Sequence, residues 1–143
     1  MSQPKYYIIF TLKNQAILSF LKVRVVVNNK EIYPLPWNTP VLVAVEEDHP
    51  QIVLTDGFHF SRPRRLDFGG PGYFNFEVET PLSDWRLFKG GVVLSFLYIW
   101  ASLSNFLLLK IVSFIPIIVA LVQYYLYRRS FLRLRQIRMP RRL

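Results

Sequence analysis

Residues 90–127, GGVVLSFLYIWASLSNFLLLKIVSFIPIIVALVQYYLY, carry one formal charge, Lys110, in 38 residues. An α-helix rises about 1.5 Å per residue, so a single rod of this length would reach roughly 57 Å. The hydrocarbon core of a bilayer is only about 30 Å thick. The run therefore predicts two helices folded back on one another. Ser102–Leu103–Ser104–Asn105 is its most polar stretch and sets the turn, giving arms at 87–102 and 106–127. On the same rise the first arm reaches roughly 24 Å, so local thinning or flanking residues must make up the difference. A soluble helix would show a polar stripe, and this run has almost none. Pro116 is expected to kink the second arm, because it removes one backbone hydrogen bond.

Working outward, the flanks agree with a membrane hairpin. Trp85 precedes the first arm, Trp100 lies near the turn, and Tyr124, Tyr125 and Tyr127 close the second arm. Such amphipathic rings favour the two bilayer interfaces. Arg86, Lys89 and the seven terminal arginines (Arg128, Arg129, Arg133, Arg135, Arg138, Arg141 and Arg142) flank one side. Lys110 stands alone near the other side and can snorkel outward to the headgroups. The positive-inside rule then puts both termini in the cytoplasm. The formal charge of +9 is correspondingly local: all nine acidic residues lie at or before Asp84, and the chain through Lys89 is close to neutral. Residues 1–15 carry neither an uncharged signal core nor a small-residue cleavage site, so a secretory signal is not expected.

Upstream of the hairpin the pattern is that of strands. Lys5–Lys13 is rich in β-branched and aromatic residues. In Lys22–Asn28, Val23, Val25 and Val27 point one way and Lys22, Arg24 and Val26 the other. Asn28–Asn29 reads as a tight hairpin turn before Lys30–Tyr33, and the three prolines in Pro34–Pro40 break any ladder. Pro40–Glu47, Gln51–Thr55 and the alternating Tyr73–Glu79 are further strands, with Phe58, Phe60, Leu66 and Phe68 continuing the pattern around Arg62–Arg65. Short strands separated by turn signals predict a β-sandwich or small barrel. The expected architecture is an all-β N-terminal sandwich (1–86), a two-helix transmembrane hairpin (87–127) and a basic juxtamembrane tail (128–143).

Val25–Val27–Asn28–Asn29–Lys30–Glu31–Ile32, then Thr39–Val45, then Asp48–His49 leading into Ile52–Leu54, resembles the PEGA-like β-sandwich modules of small bacterial proteins. The resemblance covers residues 5–80. Glu46–Glu47 stands where those modules have Pro-Gly, and the first turn lacks their usual Gly. The resemblance implies a non-enzymatic surface or interaction module of the kind frequently attached to a membrane segment, and the expected location is a bacterial inner membrane.

Chemistry-bearing residues are few. Without cysteine, thiol catalysis, disulfides and thiolate metal sites are excluded. His49 and His59 match no metal-ligand spacing. Asp56, His59 and Ser61 spell a triad on paper, without a nucleophile elbow or oxyanion loop. No catalytic residue, cofactor or metal is expected. Phe58, Phe60, Phe68, Phe74 and Phe76 read as core. In the tail, Phe131, Leu134 and Ile137 share a face if the segment is helical. Its arginines then mark membrane topology and an anionic lipid surface, or a docking face for a protein partner. Nucleic acid is the least favoured ligand, because the remainder of the soluble part is neutral. These observations point to a non-catalytic accessory or scaffold subunit of a larger membrane protein complex. A small transport or channel component oligomerising through the hairpin, or a protein that binds anionic lipid, are the alternatives.

Overall fold

The computed structural model describes residues 6–68 and 72–138. Pro81–Tyr127 forms one compact unit, and the segments on either side of it together form the other. In chain order the elements are β1 (Tyr6–Leu12), α1 (Ala16–Phe20), β2 (Arg24–Val27), β3 (Glu31–Pro34), β4 (Val41–Val45), β5 (Gln51–Thr55), β6 (Arg64–Arg65) and β7 (Tyr73–Glu79). Then come α2 (Asp84–Leu103), α3 (Leu107–Val112), α4 (Ile115–Tyr125) and β8 (Arg133–Gln136).

The β-unit holds two four-stranded sheets, ordered β4-β1-β7-β8 and β3-β2-β5-β6. Among the described residues all strand pairings are antiparallel except β1 with β7. The architecture is sandwich-like, and alternation places its core. Ile8, Phe10, Phe76 and Val78 from one sheet, and Val25, Val27, Ile52 and Leu54 from the other, are all at most 2% exposed. Val23 joins them, so the valine face of the second strand is the buried one, as its spacing predicts. At the β2–β3 turn Asn28 and Asn29 both take positive φ (53° and 56°), and the Lys30 amide donates to Val27 O at 3.1 Å. Asn tolerates that conformation, which matches the right-handed twist of the strands.

Where the chain leaves the β-unit, Gln15 fastens it. Its side chain is buried, donates to Thr80 O at 3.2 Å, and accepts from the Thr80 amide at 2.8 Å and hydroxyl at 3.2 Å. Gln15→Leu removes these partners and leaves the Thr80 amide buried without an acceptor. A loss of about 2 kcal/mol is expected, read as a lower urea midpoint for protection of the β-unit from protease.

Three expectations are corrected. The tail is not a juxtamembrane helix: residues 133–136 form β8, pairing with β7 from Glu79↔Arg133 to Phe76↔Gln136. Phe131 and Leu132 are buried at 0% and 2% exposure, so the tail completes the sheet and its core. The β-unit ends at Thr80 and not at residue 86, because Ser83 caps α2: its Oγ accepts from the Arg86 amide at 3.4 Å, with Asp84 in the first turn. Among the aromatics read as core, Phe68 and Phe76 are buried and Phe58 and Phe74 half-buried, but Phe60 is 46% exposed.

In the helical unit α2 runs for 20 residues, about 30 Å. Its start at Asp84 removes the shortfall expected of the first arm. The turn falls at Ser104–Asn105–Phe106, where Asn105 takes a φ of 51°. The second arm breaks at Ser113–Phe114, just ahead of Pro116. There the Phe114 amide bonds Ile111 O, one residue short of the α-helical partner, and the Ser113 hydroxyl donates to Lys110 O at 2.6 Å. The pyrrolidine ring and its missing N–H account for the interruption. Ser102 and Ser104 likewise donate to carbonyls of their own helix, Tyr98 O and Trp100 O, each at 2.9 Å. A Cβ built on Gly90 would lie 3.6 Å from Pro116 Cβ, so the two arms approach closely there. Asp84–Leu103 and Leu107–Tyr125 are long and apolar enough to cross a membrane by length and composition.

Candidate functional site

The Asp56–Ser61 loop is built around one carboxylate. Asp56 Oδ1 accepts from the Phe58 and His59 amides at 2.9 and 2.6 Å, and Oδ2 lies 2.7 Å from His59 Nδ1. Gly57 takes a φ of 95°, a conformation that suits glycine at this bend. The side chains of His59 and Asp56 are 0% and 4% exposed. Burial acts to raise the Asp56 carboxyl, but the bonds from the His59 ring and from the His59 and Phe58 amides outweigh it. The carboxyl is held below its ordinary range.

The returning tail closes over this loop. Phe131 stacks on the His59 ring, centroids 4.3 Å apart and planes 22° from parallel, while Phe58 meets the same imidazole edge-on at 4.9 Å. The Arg128 guanidinium lies 4.2 Å from the Phe58 ring centroid and donates through Nε and Nη2 to Phe58 O at 3.1 and 2.9 Å. In return the Phe60 amide donates to Arg128 O at 3.2 Å. Of the paper triad, the fold thus brings Asp56 and His59 together. Ser61 Oγ accepts from the Leu54 amide at 2.8 Å and donates to Arg62 O at 3.4 Å. The pair and the hydroxyl both serve to shape the loop. Among the described residues no group of three or more His, Asp or Glu converges in a way that could hold a metal ion.

Outside this buried knot lies a groove with two adjoining compartments of about 900 and 460 Å³, sharing Ser61, Arg62, Pro63 and Arg129. The larger adds Val53, Phe60 and Arg128, and the smaller adds Arg64, Ser130, Leu132, Arg133 and Leu134. Among the described residues neither lining contains a carboxylate. Arg64 is held in place: its guanidinium lies 5.2 Å from the Phe76 centroid and donates to Leu134 O at 3.4 Å. Arg62 and Arg129 are exposed and have no ion-pair partner among the described residues.

The residues singled out from sequence are therefore divided. Arg128, Arg129 and Arg133 line the groove. Arg133 and Arg135 also sit in register opposite Glu79 and Glu77 on β7, and the Glu79 carboxylate is held by Lys13 Nζ at 3.2 Å. Arg138 is exposed beyond β8, and Arg141 and Arg142 lie outside the described residues. Trp85 and Trp100 are exposed in the first and last turns of α2, Lys89 Nζ lies 5.0 Å from the Trp85 ring, and Lys110 is in α3. What sequence reading missed is the union of Arg62 and Arg64 with the tail arginines. No local pattern announces it, because β5, β6 and the tail meet only in the fold. Compared with protein families, curated proteins and solved structures, the chain matches none.

Proposed function

We propose that this chain is a non-catalytic integral membrane subunit. Its two apolar arms cross the bilayer as a hairpin, with Trp85 and Trp100 at the two interfaces, and hold the β-unit at the cytoplasmic face of a bacterial inner membrane. There it serves as an accessory or scaffold part of a larger membrane protein complex. One observation carries the topology. The apolar arms are inserted between β7 and β8, two strands that pair residue by residue. Strands in one ladder lie on one side of a membrane, so the segment between them crosses an even number of times. The excess of arginine after α4 and its absence from the turn favour the cytoplasmic side.

The scaffold role is supported by apolar side chains left at the margins of the β-unit. Leu42 on edge strand β4 and Ile32 on edge strand β3 are 61% and 59% exposed, and Phe20 is 85% exposed. Exposed apolar side chains on two edge strands leave room for a partner to cover them. The resemblance to PEGA-like interaction modules points the same way. A transport path would need ionisable groups along the arms, and Lys110, close to the turn, is the one charge between Gly90 and Tyr127.

The chain has no cysteine, so single cysteines test the topology directly. In intact spheroplasts Ser104→Cys is expected to react with a membrane-impermeant maleimide, and Lys30→Cys only after permeabilisation. Labelling of Lys30→Cys in intact spheroplasts, or recovery of the chain in the soluble fraction, would sink the proposal.

A further inference from the structure

We infer that the arginine-lined groove binds the phosphate headgroup of an anionic membrane phospholipid, clamped between Arg62 and Arg129. The source of the ligand rests on the membrane placement proposed above; the chemistry of the groove does not. Arg62 follows the Asp56–Ser61 loop and Arg129 follows α4, and the fold sets both on one groove. A guanidinium offers a planar fork of donors that fits phosphate oxygens in pairs. Both side chains lack an ion-pair partner among the described residues, so neither must break one to bind. Arg128 beside them is already fixed by Phe58 and adds positive charge without the cost of ordering.

The apolar lining selects an amphiphile over a bare phosphate. Val53, Phe60 and Pro63 line the same compartment as Arg62, Arg128 and Arg129, and Phe60 leaves 46% of its surface uncovered there. Glycerol and the first acyl carbons of a lipid can cover that surface, whereas inorganic phosphate cannot. Arg129 is four residues beyond Tyr125, the last residue of α4, which allows at most about 14 Å of chain between them. A chain leaving the hydrocarbon core reaches headgroup depth within that length. A nucleic acid fits less well. Among the described residues, Arg133 at the end of the groove and Arg135 beyond it stand in register opposite Glu79 and Glu77, so carboxylates interrupt the basic lining along the sheet, which suits a polyanionic backbone less.

The test uses the full chain in a neutral detergent, with lipid binding measured by native mass spectrometry and by fluorescence titration. Probes are phosphatidylglycerol, phosphatidylcholine with the same acyl chains, sn-glycerol 3-phosphate and a single-stranded RNA oligonucleotide. Phosphatidylglycerol is expected to bind well above phosphatidylcholine. R62Q/R129Q is expected to weaken it on the order of 10- to 30-fold. R62K/R129K, which keeps charge but loses the fork, should fall several-fold. The control K22Q/K30Q removes equal charge away from the groove and should leave binding unchanged. If R62Q/R129Q fails to fold, the lysine pair carries the result. Equal losses in the control, unchanged binding in both arginine pairs, equally tight binding of glycerol 3-phosphate, or tighter binding of RNA would each overturn the assignment. No bilayer is present, so a failed topology test would leave this result standing.

Discussion

Phe131→Ala is expected to destabilise the β-unit by about 3–5 kcal/mol, the usual cost of emptying a buried phenylalanine site. The ring is fully buried and stacked on His59, which is itself fully buried. Its loss opens a cavity beside an imidazole that has no way back to water. The tail also loses the side chain that seats it, so β8 should fray from β7. Pulse proteolysis in detergent across a urea series measures the change, and cleavage between residues 128 and 138 should appear at lower urea than in the parent. Ile137→Ala, at an exposed position just beyond β8, is the control and should stay within about 0.5 kcal/mol. An equal effect from both would mean that Phe131 does not anchor the tail.

Asp56→Ala is expected to cost on the order of 3 kcal/mol at neutral pH, because two backbone amides and the His59 ring lose their acceptor together. The direction of its pH dependence follows from the depressed carboxyl. A group held lower in the folded state stabilises fully above its unfolded value, near 3.9. That contribution is lost as pH falls through the lower, folded value. The part of the stability difference between parent and Asp56→Ala that comes from the carboxylate should therefore be full above about pH 4 and shrink as pH falls below it. A difference that widens on acidification would show that the carboxylate is not stabilised by this loop.

Much of the β-unit is legible because period-two alternation is a local signal. Val23, Val25 and Val27, or Phe76 and Val78, declare their buried faces within a few residues. The paired apolar arms are legible because length is compared with one external quantity, the bilayer. The tail failed for a physical reason. Phe131, Leu134 and Ile137 recur every three residues and fit a helix. Leu132–Arg133–Leu134–Arg135 alternates and fits a strand equally well. Periodicity cannot separate the two over so short a stretch; the free edge of β7 decides, and that edge exists only in the assembled sheet. The start of α2 was readable in principle, since Ser83 followed by Asp84 is a capping pattern that the hydropathy boundary at Leu87 obscured. The groove was not readable, because half of it comes from the Arg62–Arg64 segment and half from residues that follow the hairpin.

The placement of β8 also sets an order of events during synthesis. The ribosome delivers β7, then both apolar arms, and only afterwards the strand and the phenylalanine that finish the domain. If the arms cross a membrane as we propose, completion of the sheet waits on the hairpin having gone out and come back. On that proposal, a chain whose second arm stalled would strand its last residues across the membrane from β7, leaving an unfinished edge and an empty site beside His59. Such a molecule would be open to proteases as an unfinished domain, so on the proposed topology the sheet itself would report correct insertion.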